Sequence, residues 1–163
     1  MESFVIEGGK ALKGSITPQG AKNEALQILC AVLLTADKIT IHNIPDIVDV
    51  NKLINLLKNL GVKITQLGPG SYQFQSDALD LNYLNSDQFK IDGKGLRGSI
   101  MLVGPLLARF GKGSIPRPGG DKIGRRRLDT HFEGLIQLGA KFNYNKEDYF
   151  YSVEAEKLIG ADL

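Results

Sequence analysis

The chain has 163 residues, 42% of them hydrophobic and 23% charged, with 20 basic against 18 acidic side chains and a formal net charge of +2. That length suffices for one ordinary domain, which withdraws about 70% of its unfolded surface from water, and the composition excludes a disordered polyelectrolyte. Balanced charge gives no bulk attraction to nucleic acid or an anionic membrane, and the single cysteine, Cys30, excludes an intrachain disulfide and a thiolate metal cluster.

In chain order, Met1 to Gly9 carries Glu2 and Glu7 and lacks a basic stretch leading into an apolar run, so it does not read as a secretory leader. Phe4-Val5-Ile6 and Gly14-Ser15-Ile16-Thr17, on either side of Gly8-Gly9, read as two short strands with no partner nearby in sequence. From Ala21 to Leu34, the residues Ala25, Leu26, Ile28, Leu29, Ala31, Val32 and Leu33 cover every side of a helix, which calls for burial all round. This run and the one from Ile100 to Ala108 fall well short of the about 20 residues that cross a bilayer.

Ile39 to Ile41 reads as a strand and Pro45-Asp46 as a turn, while Leu53, Leu56, Leu57 and Leu60 follow the spacing of a one-sided helix ended by Gly61. Val62 to Ile64 and Tyr72 to Phe74 form a hairpin around Gly68-Pro69-Gly70. After a less regular stretch the same order returns, with an apolar helix from Arg97 to Arg109, a strand at Ser114-Ile115, an amphipathic helix near Asp129 to Leu138 and a hairpin. Leu57-Lys58-Asn59-Leu60-Gly61-Val62-Lys63 is echoed by Leu135-Ile136-Gln137-Leu138-Gly139-Ala140-Lys141, an offset of 78 residues.

These elements predict an α/β (α+β) chain of repeated units, divided as opening strands over 1–21, a first unit over 22–90 and a second over 91–163 with a long loop over 111–127. Each unit contributes one helix without a polar face. Either a further unit closes around those helices, or they pack on each other and on the sheets as an ordinary core.

The loop concentrates charge: Arg117, Arg125, Arg126, Arg127 and Lys122 surround the carboxylate of Asp121, among Gly119, Gly120 and Gly124. Glycine permits close backbone approach, and guanidinium groups grip phosphate or carboxylate oxygens in pairs. Length and glycine placement alone fit a phosphate site and a solvated basic loop equally. A nucleic-acid patch fits less well, because no aromatic side chains are interleaved for base stacking.

Residue identity goes further. Gly20-Ala21-Lys22-Asn23, the run Val103-Gly104-Pro105-Leu106-Leu107-Ala108-Arg109-Phe110-Gly111, and then Pro118-Gly119-Gly120, Ile123-Gly124, Arg126, Asp129 and His131 strongly resemble the UDP-N-acetylglucosamine enolpyruvyl transferase family. The resemblance runs over essentially the whole chain. It implies two of the three βαβαββ-like units of one domain in an inside-out barrel, with the opening strands pairing in a second domain and the active site between the two. Such an amino-terminal portion is expected to be inactive alone, to lie in the cytoplasm, and to expose an apolar face that favours self-association.

The resemblance implies transfer of the enolpyruvyl group of phosphoenolpyruvate to the 3-hydroxyl of UDP-N-acetylglucosamine, with no metal, no cofactor, and neither membrane nor nucleic acid as partner. Lys22, Arg97 and Arg126 match residues that hold anionic groups, Asn23 one that binds the nucleotide-sugar, and Asp129 and His131 a segment along the uridine. Asp121 falls where most members carry a catalytic cysteine. From the residues alone Lys22 also reads as a solvated lysine, Asn23 as a helix cap, Arg97 as an interfacial residue and His131 as a packing histidine. Arg127 stands where proline is usual, and Gly98 where alanine is common. The sister family acting on shikimate phosphate is the alternative, but Asn23 after Lys22 departs from its Ser-Lys-Ser pattern.

Overall fold

In the computed structural model, which describes residues 3–119 and 127–162, the first run of elements is α1 (Lys22–Ala31), a 3₁₀ turn at Val32–Leu34, β1 (Lys38–Ile41), α2 (Val48–Asn59), β2 (Lys63–Gly68) and β3 (Ser71–Gln75). The second run has a 3₁₀ turn at Leu81–Asn85, α3 (Asp87–Lys94), a 3₁₀ segment at Arg97–Leu102, α4 (Val103–Phe110), β4 (Lys112–Pro116), α5 (Asp129–Gln137), β5 (Lys141–Asn145) and β6 (Phe150–Glu154). The strands form two antiparallel three-stranded sheets, ordered β1-β3-β2 and β4-β6-β5. In both, the last strand of the hairpin inserts between its own hairpin partner and the earlier strand, so the echo in the sequence is an echo in topology.

The two helix ends at Gly61 and Gly139 show why the sequence repeats there. Gly61 N–H bonds to Lys58 O at 3.0 Å and Val62 N–H to Leu57 O at 3.0 Å; Gly139 N–H bonds to Ile136 O at 2.9 Å and Ala140 N–H to Leu135 O at 3.0 Å. This pair of bonds satisfies orphan carbonyls at a helix end and requires a left-handed residue, supplied by glycines with φ of 101° and 94°. Each chain then turns directly into its hairpin.

Leu53, Leu56 and Leu57 on α2 and Leu60 at its C-cap, the stripe read from spacing, are all fully buried. On α1, Leu26, Leu29 and Cys30 are buried against α2, the 97–102 segment and their neighbours, whereas Ile28 remains 42% exposed. The expected burial all round is therefore not found: the packed sides are buried, but Ile28 and Ala31 face outward and Leu34 beyond them is 52% exposed. The helix read over Arg97 to Arg109 begins as a 3₁₀ segment instead, where Ser99 both donates its N–H to Leu96 O at 3.1 Å and bonds it through Oγ at 2.7 Å.

Two further elements depart from the sequence reading. The stretch that reads as irregular holds α3, which buries only Phe89 and Gly93 and so shows little periodicity; its signal is Ser86, whose Oγ caps the helix by accepting from Phe89 N–H at 3.1 Å. At the other end, residues 3–19 form no strand, and Phe4, Val5, Ile6, Leu12 and Ile16 are all at least 89% exposed. A strand needs a ladder partner, and none of the described residues supplies one.

Asp92 ties α3 to the end of α2. Its carboxylate accepts from Asn59 Nδ2 at 2.9 Å, Gln88 Nε2 at 2.8 Å and the Tyr83 hydroxyl. Burial opposes ionisation, but these hydrogen bonds outweigh it and hold the Asp92 carboxyl below its ordinary value. A carboxyl depressed in the folded state stabilises the fold fully above its unfolded pKa and loses that contribution as pH falls through the folded value. Asp92→Ala is therefore expected to cost about 1–2 kcal/mol at pH 7 after allowance for partial exposure. The gap to the native protein in urea melts should close towards pH 3; a gap that is unchanged at acid pH would remove the carboxylate from the account.

Candidate functional site

Lys22 is the first residue of α1, and its placement starts one turn earlier. A Cβ on Gly20 would stand 1.9 Å from the carbonyl oxygen of Asn43, so only glycine lets the chain pass there and enter the helix at this angle. The helix is preceded by Ala21, with no side-chain cap, so Asn23 is not spent on capping. The Lys22 ammonium pairs with the carboxylate of Asp49, in the first turn of α2.

Arg97 arrives from a distant part of the chain. The 97–102 segment packs on α1, where a Cβ on Gly98 would lie 3.1 Å from Leu26 Cδ1. Gly98 therefore accommodates a close approach between α1 and the segment that carries Arg97. The result is an open cleft of about 600 Å³ walled by Lys22, Asn23 and Gln27 from α1, Asp49 and Lys52 from α2, and Gly95, Arg97 and Gly98. Leu26, Ile100 and Met101 form its apolar part.

Both described ends of the basic loop fasten beside this cleft. Gly119 N–H bonds to Lys94 O at 2.7 Å, and a Cβ on Gly119 would lie 2.1 Å from that oxygen. On the far side, Arg97 Nη2 donates to Arg127 O at 3.4 Å. The Arg127 guanidinium pairs with Asp129 at the start of α5, and this hydrogen bond is the largest influence holding the Asp129 carboxyl below its ordinary value. Asp121 and Arg126 lie outside the described residues.

Of the residues selected from sequence, Lys22, Asn23 and Arg97 thus share one cleft, although 74 positions separate Asn23 from Arg97. Asp129 joins them indirectly, through Arg127 and Arg97. His131 is exposed on α5 and is not among the cleft's lining residues. Sequence reading missed Asp49 and Lys52. They lie on the polar side of a helix whose apolar stripe was legible, but nothing local says that this polar side faces α1 and Arg97.

Other chemically conspicuous groups are accounted for by structure. Arg109 donates from Nη1 to Leu33 O and Thr35 O, both at 2.9 Å, satisfying carbonyls after α1. Cys30 is buried, and burial pushes its thiol far above the ordinary value, so it is no nucleophile. Among the described residues, no helix is long and apolar enough to cross a membrane.

Comparison with known proteins gives three results. A family profile described as EPSP synthase (3-phosphoshikimate 1-carboxyvinyltransferase) matches residues 6–162. The UDP-N-acetylglucosamine 1-carboxyvinyltransferase of Bacteroides fragilis is 58% identical over all 163 residues, and that of Porphyromonas gingivalis 53% over 160 residues. The chain spans 38% and 37% of the length of these two relatives. Among solved structures, the enolpyruvyl transferase NikO from Streptomyces tendae aligns with a TM-score of 0.73 at 18% identity, covering 93% of this chain and 32% of that one. The EPSP synthase from Acinetobacter baumannii aligns with a TM-score of 0.65 at 18% identity, covering 96% and 36%.

Proposed function

We propose, from the premise that this chain belongs to the EPSP synthase family, that the full-length protein transfers the enolpyruvyl group of phosphoenolpyruvate to the 3-hydroxyl of UDP-N-acetylglucosamine. The observation that carries the reading is the convergence of Lys22, Asn23 and Arg97 on one cleft. Relatives 53–58% identical that bear the name of this activity favour the nucleotide-sugar over shikimate phosphate as acceptor.

The chemistry is an addition followed by an elimination. The sugar hydroxyl gives up its proton to a base as its oxygen bonds to C2 of phosphoenolpyruvate, and C3 takes a proton from an acid; a base then removes a C3 proton as the C2–O bond to phosphate breaks, which releases phosphate and restores the double bond. Charge moves onto the phosphate as its bond breaks, and ammonium and guanidinium groups already in place favour that distribution without reorganising. In this reading Lys22, Arg97 and Arg126 hold the anions, Asn23 the sugar, and Asp129 and His131 border the uridine. Asp121 handles a proton in place of the usual cysteine. The units over 22–90 and 91–163 form one side of the site, and the remaining length seen in relatives supplies the other. Substrates of this kind place the enzyme in the cytoplasm.

The test is an assay of purified full-length protein for phosphate release and for the mass of the enolpyruvyl nucleotide-sugar. Release with UDP-N-acetylglucosamine and none with shikimate 3-phosphate is expected. The opposite preference, or no release with either, would overturn the assignment.

A further inference from the structure

We propose that Lys52 is an additional anion contact of this cleft, one that raises affinity for a multiply charged phosphate; the inference rests on the function proposed above. Among the described residues, four charged side chains line the cleft: Lys22, Lys52 and Arg97 are positive and Asp49 is negative. Lys22 is already paired with Asp49, and Arg97 is engaged with the carbonyl of Arg127. Lys52 forms no ion pair or hydrogen bond with any described residue.

Its backbone position on α2 sets its reach. Lys52 leaves α2 one helical turn after Asp49, and its Nζ lies 3.7 Å from where a Cβ on Gly95 would sit. The ammonium therefore reaches across to the wall that carries Arg97, and the missing side chain of Gly95 leaves that space open. Counting the described residues alone, with Asp49 offsetting one cation, Lys52 sets whether their side chains sum to two net positive charges or one. In a concave site with apolar surface nearby, that difference acts on an approaching anion more strongly than on a flat, fully wet surface. Both substrates are multiply charged: phosphoenolpyruvate through its phosphate and carboxylate, the nucleotide-sugar through its diphosphate.

The experiment compares the full-length native protein with Lys52→Met, Lys52→Arg and Lys52→Glu, titrating each substrate at low salt and at about 0.5 M salt. For Lys52→Met the KM of one substrate should rise about two- to fivefold at low salt, with kcat little changed and the ratio shrinking in high salt. Lys52→Glu should exceed this effect and Lys52→Arg should largely restore the native value. Whether the phosphoenolpyruvate or the nucleotide-sugar titration moves identifies which phosphate Lys52 meets. Native turnover with both KM values unmoved in Lys52→Met and Lys52→Glu overturns the proposal. So does a rise that ignores salt and is not rescued by arginine, which marks a structural role. A native protein with no turnover fails the function reading first.

Discussion

Replacing Lys22 with methionine is expected to lower kcat/KM of the full-length enzyme about 100- to 1000-fold, the usual cost of removing one preorganised charge from a site where charge develops. Lys22 stands at the start of α1, set by the contact of Gly20 with the Asn43 carbonyl and held by Asp49 from the neighbouring helix. Its ammonium is therefore in place before an anion arrives. The side chain is 45% exposed, so the loss should come with little change in the thermal midpoint. Lys22→Arg should recover only part of the rate, because a planar fork cannot take the place of a compact ammonium at a site shaped by Asp49 and Asn23. A methionine variant within about threefold of the native rate would exclude Lys22 from the chemistry.

The second large effect concerns Asp121. The resemblance places it where most members carry the cysteine that opens the epoxide of fosfomycin, and a carboxylate is a far weaker nucleophile than a thiolate. The native full-length protein is expected to keep its activity in excess drug and to gain no adduct mass, whereas Asp121→Cys should lose activity with time and gain the mass of one drug molecule. Inactivation of the native protein, with the added mass mapped to Asp121, would reverse this account.

Much of the fold was legible because its signals are local. The stripe Leu53, Leu56, Leu57 and Leu60, the stop at Gly61 and the echo at Gly139 each rest on spacing within a few residues, and each is found as read. α3 was illegible because its two buried residues set no period. Residues 3–19 form no strand for a different reason: their composition favours extended pairing, but pairing belongs to a ladder and not to a segment, and the resemblance assigns that ladder to a second domain. At the site, Lys22, Asn23 and Arg97 were nameable only through the resemblance, since no periodicity distinguishes them from solvated surface residues. Asp49 and Lys52 escaped even so, because their importance arises from what α2 lies against.

The repeated order of elements gives the cleft an architectural origin. Lys22 opens the first helix of one run of elements and Arg97 opens the corresponding stretch of the other, so the cleft straddles the seam between the two runs. A substitution in either run must fit the mating surface as well as its own interior, which makes the seam, with Leu26 lodged against Gly98, the place where the two runs constrain each other.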